Sequence, residues 1–490
     1  MSKTSSAFSL DGPEHGIDSY EENIVGKTPL HYQSLTEVSG RIQRQELSST
    51  EVTLALLERI DTLDNSLHAY STLMKDAALA AAREADEAIS AGNILSPLHG
   101  VPIAVKDLCR TQGVRTRAGM PLFNDYVPDY DSTVVARLRD AGAVILGKLE
   151  LTEGAFAFHH PDVATPVNPW NAALWAGASS SGSGVATAAG LCYGSLGSDT
   201  GGSIRFPSVA CGVTGLKPTW GRVSRYGVFM LSDTLDHLGP MTRSAEDAAA
   251  ILKVIAGKDE KDHHTVLDPV PDYTKELSHG IAGLRIGWDK KYCSDDVDPV
   301  VATEIEEALG VLERSGAEVV EVNLPDTSEV ITHWAVLCAA ETAVAHEATY
   351  PSRADAYGQE LAGFINSGIK ATSLDIARAN ICRNHWRGTL SRLFQRVDMV
   401  IAPAIPFATP PESTIRKLAA EDGGLEKLTR YTAPFDFSGN PTISVPCGFQ
   451  AESVPFGFQL IGRDFDEGLL LRAAHAYQQQ TRWHETHPNL

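Results

Sequence analysis

The 490-residue sequence predicts an α/β fold, with one large mixed β-sheet sandwiched between layers of α-helices. Three observations carry that expectation. Short unbroken apolar runs, at 101–105, 143–146 and 397–402, read as strands covered on both faces. Amphipathic stretches of helical period alternate with them, as a layered α/β chain requires. The runs before and after a charged, irregular stretch at 257–280 are alike in kind and show no fixed repeat. One sheet is therefore expected rather than two unrelated domains, with 257–280 as a surface excursion and internal seam.

The elements follow in order. Residues 1–29 are polar and aperiodic and read as a flexible N-terminal arm, leaving 30–490 as a single domain. Ser48 and Glu51 fit a capping box, followed by the apolar stripe Val52, Leu56, Leu57, Ile60 and Leu63. An Ala-rich helix is predicted over 75–90, ending at Ala91-Gly92. The strand at 101–105 closes on Lys106-Asp107. A helix over 132–140, with Val134, Val135 and Leu138 inward, stops at Gly142 before the strand at 143–146. The stretch from Gly177 to Pro207 reads as a small-residue hairpin enclosing a short helix at 185–189. Another helix is expected at 245–256 and a strand at 284–286. Asp298 and Pro299 open a helix with Val301, Ile305, Ala308, Leu309 and Leu312 on one face. Gly316 ends it ahead of a strand at 317–322. A long helical section, 331–395, precedes the strand halted by Pro403. Strands at 442–445 and 455–461 and a helix at 467–478 complete the chain.

Composition excludes several classes of function. The formal charge is −21 with no Lys/Arg cluster, which argues against nucleic acid or an anionic membrane as partner. The first thirty residues hold no apolar signal segment and no run is long enough to span a bilayer, so a cytoplasmic protein is expected. The seven cysteines are odd in number and lack CxxC spacing, as for free buried thiols. Neither His159-His160-Pro161-Asp162 nor Asp262-His263-His264 has the spacing of a helical zinc pair, so no metal is expected. Gly182-Ser183-Gly184 lacks both a preceding strand and the ending of a phosphate loop, and no cofactor is expected.

Chemistry concentrates between Gly177 and Pro207. Ser179, Ser180, Ser181 and Ser183 lie at the front, and Asp199-Thr200-Gly201-Gly202-Ser203 at the back. Bare backbone N–H groups beside a serine hydroxyl suit acyl transfer, because such a nest can hold an oxyanion. A serine also needs a base. None of the 16 histidines sits in a recognisable elbow, which turns attention to lysines that end apolar strands or turns: Lys106, Lys148 and Lys217. Lys106 follows five apolar residues, so desolvation would lower its pKa by roughly 3 units. Snorkelling to solvent or pairing with Asp107 would give the same sequence pattern.

Together these residues resemble the amidase signature family of serine amidohydrolases, over about residues 34–487. The likeness rests first on Gly177-Ala178-Ser179-Ser180-Ser181-Gly182-Ser183 and on Gly197-Ser198-Asp199-Thr200-Gly201-Gly202-Ser203-Ile204-Arg205-Phe206-Pro207. His99-Gly100-Val101-Pro102 leading to Lys106-Asp107 also matches, as do Gly215-Leu216-Lys217-Pro218-Thr219 and Leu235-Asp236-His237-Leu238-Gly239-Pro240. Gly439-Asn440-Pro441 and Phe458-Gln459-Leu460-Ile461-Gly462 complete the set. The resemblance implies the amidase signature fold, with Ser203 as nucleophile and Ser179, after a cis peptide bond, as bridging serine. It implies Lys106 as base rather than Lys148 or Lys217, and the N–H groups of Thr200, Gly201, Gly202 and Ser203 as oxyanion hole. Ala178 and Ser181 replace glycines of the commonest loop, Gly-Gly-Ser-Ser-Gly-Gly-Ser.

The implied substrates are small-molecule anilides, primary amides, carbamates (urethanes) or esters, cleaved through an acyl-enzyme. Local aromatic content nominates Phe156, Phe158, Tyr226, Phe229, Phe435 and Phe437 for the pocket, with the hydroxyl of Ser180. A homodimer is compatible with this reading. The alternative within the family is the glutamine-hydrolysing A subunit of a tRNA-dependent amidotransferase. Against it, 341–373 lacks the Tyr-Asp-Gly-Val-Arg-Tyr-Gly pattern and has Ala348-Thr349-Tyr350-Pro351-Ser352-Arg353 instead.

Overall fold

Eleven strands form one sheet in the computed structural model, which describes residues 28–450 and 454–490. The N-terminal arm, read as 1–29, lies outside the described residues but for Thr28 and Pro29. In chain order the strands are β1 (Tyr70–Leu73), β2 (Pro102–Lys106), β3 (Val144–Leu149), β4 (Gly194–Asp199), β5 (Thr214–Lys217) and β6 (His237–Thr242). They continue with β7 (Arg285–Trp288), β8 (Glu318–Glu321), β9 (Met399–Pro403), β10 (Thr442–Gln450) and β11 (Val454–Gly462). Across the sheet the order is β1-β3-β2-β4-β6-β5-β10-β11-β9-β7-β8. Strand β2 runs parallel to both neighbours, β3 and β4, while the centre from β4 to β9 is antiparallel. This is the mixed sheet that the alternation of elements predicts.

The sheet runs unbroken past the charged stretch at 257–280, because β5 pairs with β10. That stretch is tied down rather than purely superficial. It contains the helix Tyr273–Glu276, buries Tyr273 and Leu277, and uses Asp262 to accept the N–H of Arg225.

Local chemistry explains most of the helices. Ser48 and Glu51 form the expected capping box on the helix Ser49–Leu67. Asp298 accepts the N–H of Val300, with Pro299 in the first turn of Pro299–Arg314. The long helical section is three helices, Ser328–Ala345, Gln359–Lys370 and Ser373–Leu393. A turn through the cis bond Tyr350–Pro351 separates the first two, and a capping box at Thr372 opens the third.

The stretch from Gly177 to Pro207 is not a hairpin. It is a helix, Ser181–Ala188, then β4, then a second helix, Arg205–Cys211. Strand β4 has one large apolar residue, Leu196, so no hydrophobic run announces it. It is nonetheless buried along its length inside the sheet, where small side chains let the helices Ser181–Ala188 and Ala245–Ile255 pack close.

All seven cysteines are free, and six of them are buried. Among the described residues, no helix is long and apolar enough to cross a membrane.

Candidate active site

Because β2 and β4 are parallel and in register at Val105 and Leu196, their carboxyl ends finish side by side. Lys106 ends β2, and Asp199 ends β4 just before the Thr200–Ser203 turn. The Ser181–Ala188 helix brings its amino-terminal serines to the same edge. Lys106 is wholly buried, and its Nζ donates to Ser179 Oγ, Ser180 Oγ and Ser198 Oγ, each at 2.8 Å. Burial takes the lysine pKa down to about 7, opposed in part by the charges of Asp199 and Asp236. Asp107 is not its partner.

The other two lysines have different surroundings. Lys148 Nζ donates to Asp107 at 3.0 Å and to Thr116 at 2.7 Å. Lys217 Nζ donates to the carbonyl of Asn440 at 2.5 Å, and burial lowers its pKa to about 8. Only Lys106 faces a group of serine hydroxyls.

The peptide bond Ala178–Ser179 is cis, where the family resemblance placed it. The carbonyl of Ser179 accepts from Thr152 N at 3.2 Å, and Ser180 N donates to the carbonyl of Ser203 at 3.2 Å, tying the two serine segments together. Ser203 is half-buried, whereas Ser179 is closed off. Ser181, one of the two departures in the loop, shares a 2.9 Å hydrogen bond with Nε2 of buried His159. Burial takes that imidazole down to about 3, so it is neutral at ordinary pH. Ala178, the other departure, joins an apolar cluster with Trp175, Phe206, Val209 and Ile405.

The turn from Thr200 to Ser203 is fixed by groups that carry no expectation from the sequence. Asp199 accepts from Gly202 N at 2.6 Å and Ile204 N at 2.9 Å, and from Arg205 Nε and Nη2 at 3.0 and 2.9 Å. Burial alone would raise this carboxyl, but Arg205, Lys217 and the Ile204 N–H together hold it well below the usual range. Arg205 also pairs with Asp436 and donates to the carbonyl of Thr432 at 3.0 Å. Trp334 Nε1 donates to the carbonyl of Thr200 at 2.9 Å, and Thr432 Oγ1 to that of Gly201 at 2.6 Å. Thr200 Oγ1 donates to Asp236, whose pKa burial raises to about 6.

In a trans peptide the N–H points opposite to the C=O. Anchoring the Thr200 carbonyl therefore aims the Gly201 N–H the other way. The Gly202 carbonyl accepts from Phe206 N at 2.7 Å, which turns the Ser203 N–H away from the helix. Gly202 itself corrects the fourfold expectation, because its N–H is committed to Asp199. The N–H groups of the expected set not committed to Asp199 are those of Thr200, Gly201 and Ser203. Both glycines are required here: Gly202 has φ +136°, and a Cβ on Gly201 would stand 2.3 Å from the Trp334 ring.

The aromatic expectations divide. Phe158 lies in the apolar cluster beside Ala178, and Phe156 and Phe229 pack in a second cluster with Met120, Tyr350 and Leu361. Phe435 and Phe437 are 1% and 0% exposed and pack in the main core. Tyr226 packs on Tyr130, with Lys261 over its ring, apart from the serines. Ser180 points its hydroxyl at Lys106 rather than into a pocket. Asp199 and Arg205 stood within the family motif. Trp334, Thr432 and Asp436 come from distant segments with no local signal.

The fold and this constellation define a hydrolase acting on amide C–N bonds, and the chain belongs to the amidase signature family. The Amidase family model matches residues 51–471. The chain is similar to AmiD of Mycobacterium bovis, assigned as an amidase, with 47% identity over 96% of this chain and 97% of that one. Similarity to the A subunit of the glutamyl-tRNA(Gln) amidotransferase of Geobacter metallireducens is 38%, over 92% of this chain and 98% of the relative. Among solved structures, the native peptide amidase from Stenotrophomonas maltophilia superposes with a TM-score of 0.79 at 31% identity, covering 93% of this chain and 98% of that one.

Proposed function

We propose that the chain is a free-standing serine amidohydrolase of small-molecule amides, with Ser203 as nucleophile, Ser179 as proton relay and Lys106 as base. The observation that carries this reading is the contact of a fully buried lysine with Ser179 and no carboxylate. A neutral lysine has two N–H donors and one lone pair, so among three neighbouring hydroxyls one must donate to it. Ser180 spends its proton on the carbonyl of Ser198, at 3.2 Å. The donor is then Ser179 or Ser198, and Ser179 is the one whose loop is tied to Ser203.

The Ser203 proton passes through Ser179 to Lys106 as Oγ attacks the substrate carbonyl. The N–H groups of Gly201 and Ser203, with Thr200 beside them, hold the oxyanion, each key donor worth about 3 to 4 kcal/mol. Lys106 returns the proton through the same serine to the leaving amine, breaking the C–N bond. Water then attacks the acyl-enzyme and releases a carboxylic acid. The apolar clusters around Phe158 and around Phe156 and Phe229 suit aryl or alkyl groups, which favours anilides, aryl amides and carbamates.

The likeness to the glutamyl-tRNA(Gln) amidotransferase keeps glutamine hydrolysis with a partner protein as the second reading. Against it, the segment 341–373 lacks the Tyr-Asp-Gly-Val-Arg-Tyr-Gly pattern of such subunits, and its Arg353 is exposed. Assay of the lone chain on anilides, primary amides, aryl carbamates and glutamine separates the two. Turnover of glutamine alone, and only with a partner added, would overturn the proposal. So would a folded Ser203→Ala protein that keeps more than a trace of activity.

A further inference from the structure

A cavity of about 230 Å³ lies apart from the serines, between the helix Ser373–Leu393 and the segments around Ser438 and Arg463. Three features give it a chemical character. Ser438, 1% exposed, is one of the residues around the cavity, and its buried hydroxyl has no hydrogen-bond partner. Such a group costs stability unless something satisfies it. Arg387 lines the same space and takes part in no ion pair or hydrogen bond among the described residues, whereas Arg463 is engaged by Asp398 and Asp466. Leu390 and Phe394, both buried, supply an apolar wall.

Beneath lies Asn440, whose carbonyl accepts from buried Lys217. One acidic group, Asp464, also faces the cavity, with Arg387 and Lys217 as its nearest cations. A dianion would be repelled by Asp464 more strongly than a monoanion and would leave the apolar wall unused. A monocarboxylate with an apolar tail suits the remaining parts. Its two oxygens match the guanidinium fork of Arg387 and one can accept from Ser438, while an aryl or short alkyl tail covers Leu390 and Phe394.

We propose that this cavity is a binding site for a small monocarboxylate with an apolar tail. Ser438 ends the helix Ala433–Ser438, which also carries Asp436, the partner of Arg205 under the Thr200–Ser203 turn. The site is thus joined by one short helix to the buried ion pairs of the catalytic edge, without sharing a residue with it.

The test is isothermal titration of sodium benzoate and sodium butyrate into the full chain, into Arg387→Gln and into Ser438→Ala. Arg387 is exposed, so its variant folds and keeps its basal amidase activity. The expected result is saturable benzoate binding that weakens about tenfold or more in Arg387→Gln, through loss of the charge-assisted contact. Ser438→Ala is expected to weaken it by a smaller factor, and equimolar inorganic phosphate to leave it unchanged. Binding of equal strength in Arg387→Gln places the carboxylate elsewhere, the catalytic serine included, and overturns the proposal. Displacement by phosphate also overturns it, as does absence of binding up to about 10 mM benzoate.

Discussion

Replacing Lys106 by Met tests the buried base through stability as well as through activity. Methionine conserves most of the volume and removes the charge, so packing changes little. In the folded protein, burial lowers the lysine pKa from 10.5 to about 7. The unfolded chain therefore binds more protons than the folded one across that interval, and stability rises with pH from about 7 to about 10.5 on account of this residue. With roughly 1.4 kcal/mol per unit, the linked cost is about 4 kcal/mol at pH 7 and about 1 kcal/mol at pH 10. The variant escapes that cost but leaves three serine hydroxyls without their hydrogen-bond partner, a loss of about 1 kcal/mol each that varies little with pH. The difference between variant and parent isolates Lys106, because Lys217 titrates alike in both. Urea unfolding followed by tryptophan fluorescence at pH 7, 8, 9 and 10 is the assay. The stability of Lys106→Met relative to the parent should fall by about 3 kcal/mol between pH 7 and 10, with amidase activity absent throughout. A relative stability that stays level within about 1 kcal/mol, or that rises with pH, would refute the reasoning.

Activity itself should climb through a midpoint near pH 7 and stay high on the alkaline side, because the base must be neutral to accept the Ser179 proton; a steady-state pH profile checks this. A fluorophosphonate should label Ser203 alone, read by peptide mass analysis, and labelling of Ser203→Ala should be lost. Asp199→Asn should lower kcat about 100-fold by loosening the oxyanion turn and cost roughly 3 to 5 kcal/mol by leaving buried Arg205 short of a charge, read by kinetics and urea unfolding. Gly202→Ala meets φ +136° and a Phe206 ring carbon 2.4 Å from the new Cβ, so thermal unfolding should show a marked loss of stability and kcat should drop with it. Ser181→Ala should instead cost only about 1 kcal/mol, the loss of the His159 hydrogen bond, with kcat nearly intact.

The elements legible in the sequence are those whose cause is local. The capping box at Ser48, the Asp298–Pro299 helix start and the apolar strands β2 and β9 each carry their signal within a few residues. Strand β4 does not, because it is mostly glycine and serine, and small residues have no hydrophobic period. Without a visible strand between them, the two serine-bearing segments read as the arms of a hairpin. The pocket aromatics failed for a related reason. Phe435 and Phe437 are as apolar as Phe158, and only the position of the helix Ala433–Ser438 against the sheet sends them to the core.

The three lysines show where local reading ends. Lys106, Lys148 and Lys217 lie at or near the ends of β2, β3 and β5 of one sheet, and all three are fully buried. All three are equally buried, so burial alone cannot choose a base. The partners choose. Lys148 is paired with a carboxylate at 3.0 Å, and Lys217 donates to a backbone carbonyl that cannot pass a proton on. Lys106 alone meets serine hydroxyls and no carboxylate, and hydroxyls both accept and donate, so a proton can move through them. Those hydroxyls come from residues 179, 180 and 198, more than seventy positions downstream, brought to the lysine because β2 and β4 lie parallel. A base able to trade protons with serine is thus a property of the sheet order, and exchanging the environments tests it. Asp107→Asn should free Lys148 from its carboxylate yet leave amidase activity dependent on Lys106, since no serine relay stands beside Lys148. Activity in Asp107→Asn that survives the further change Lys106→Met would show that a buried lysine suffices without its serines.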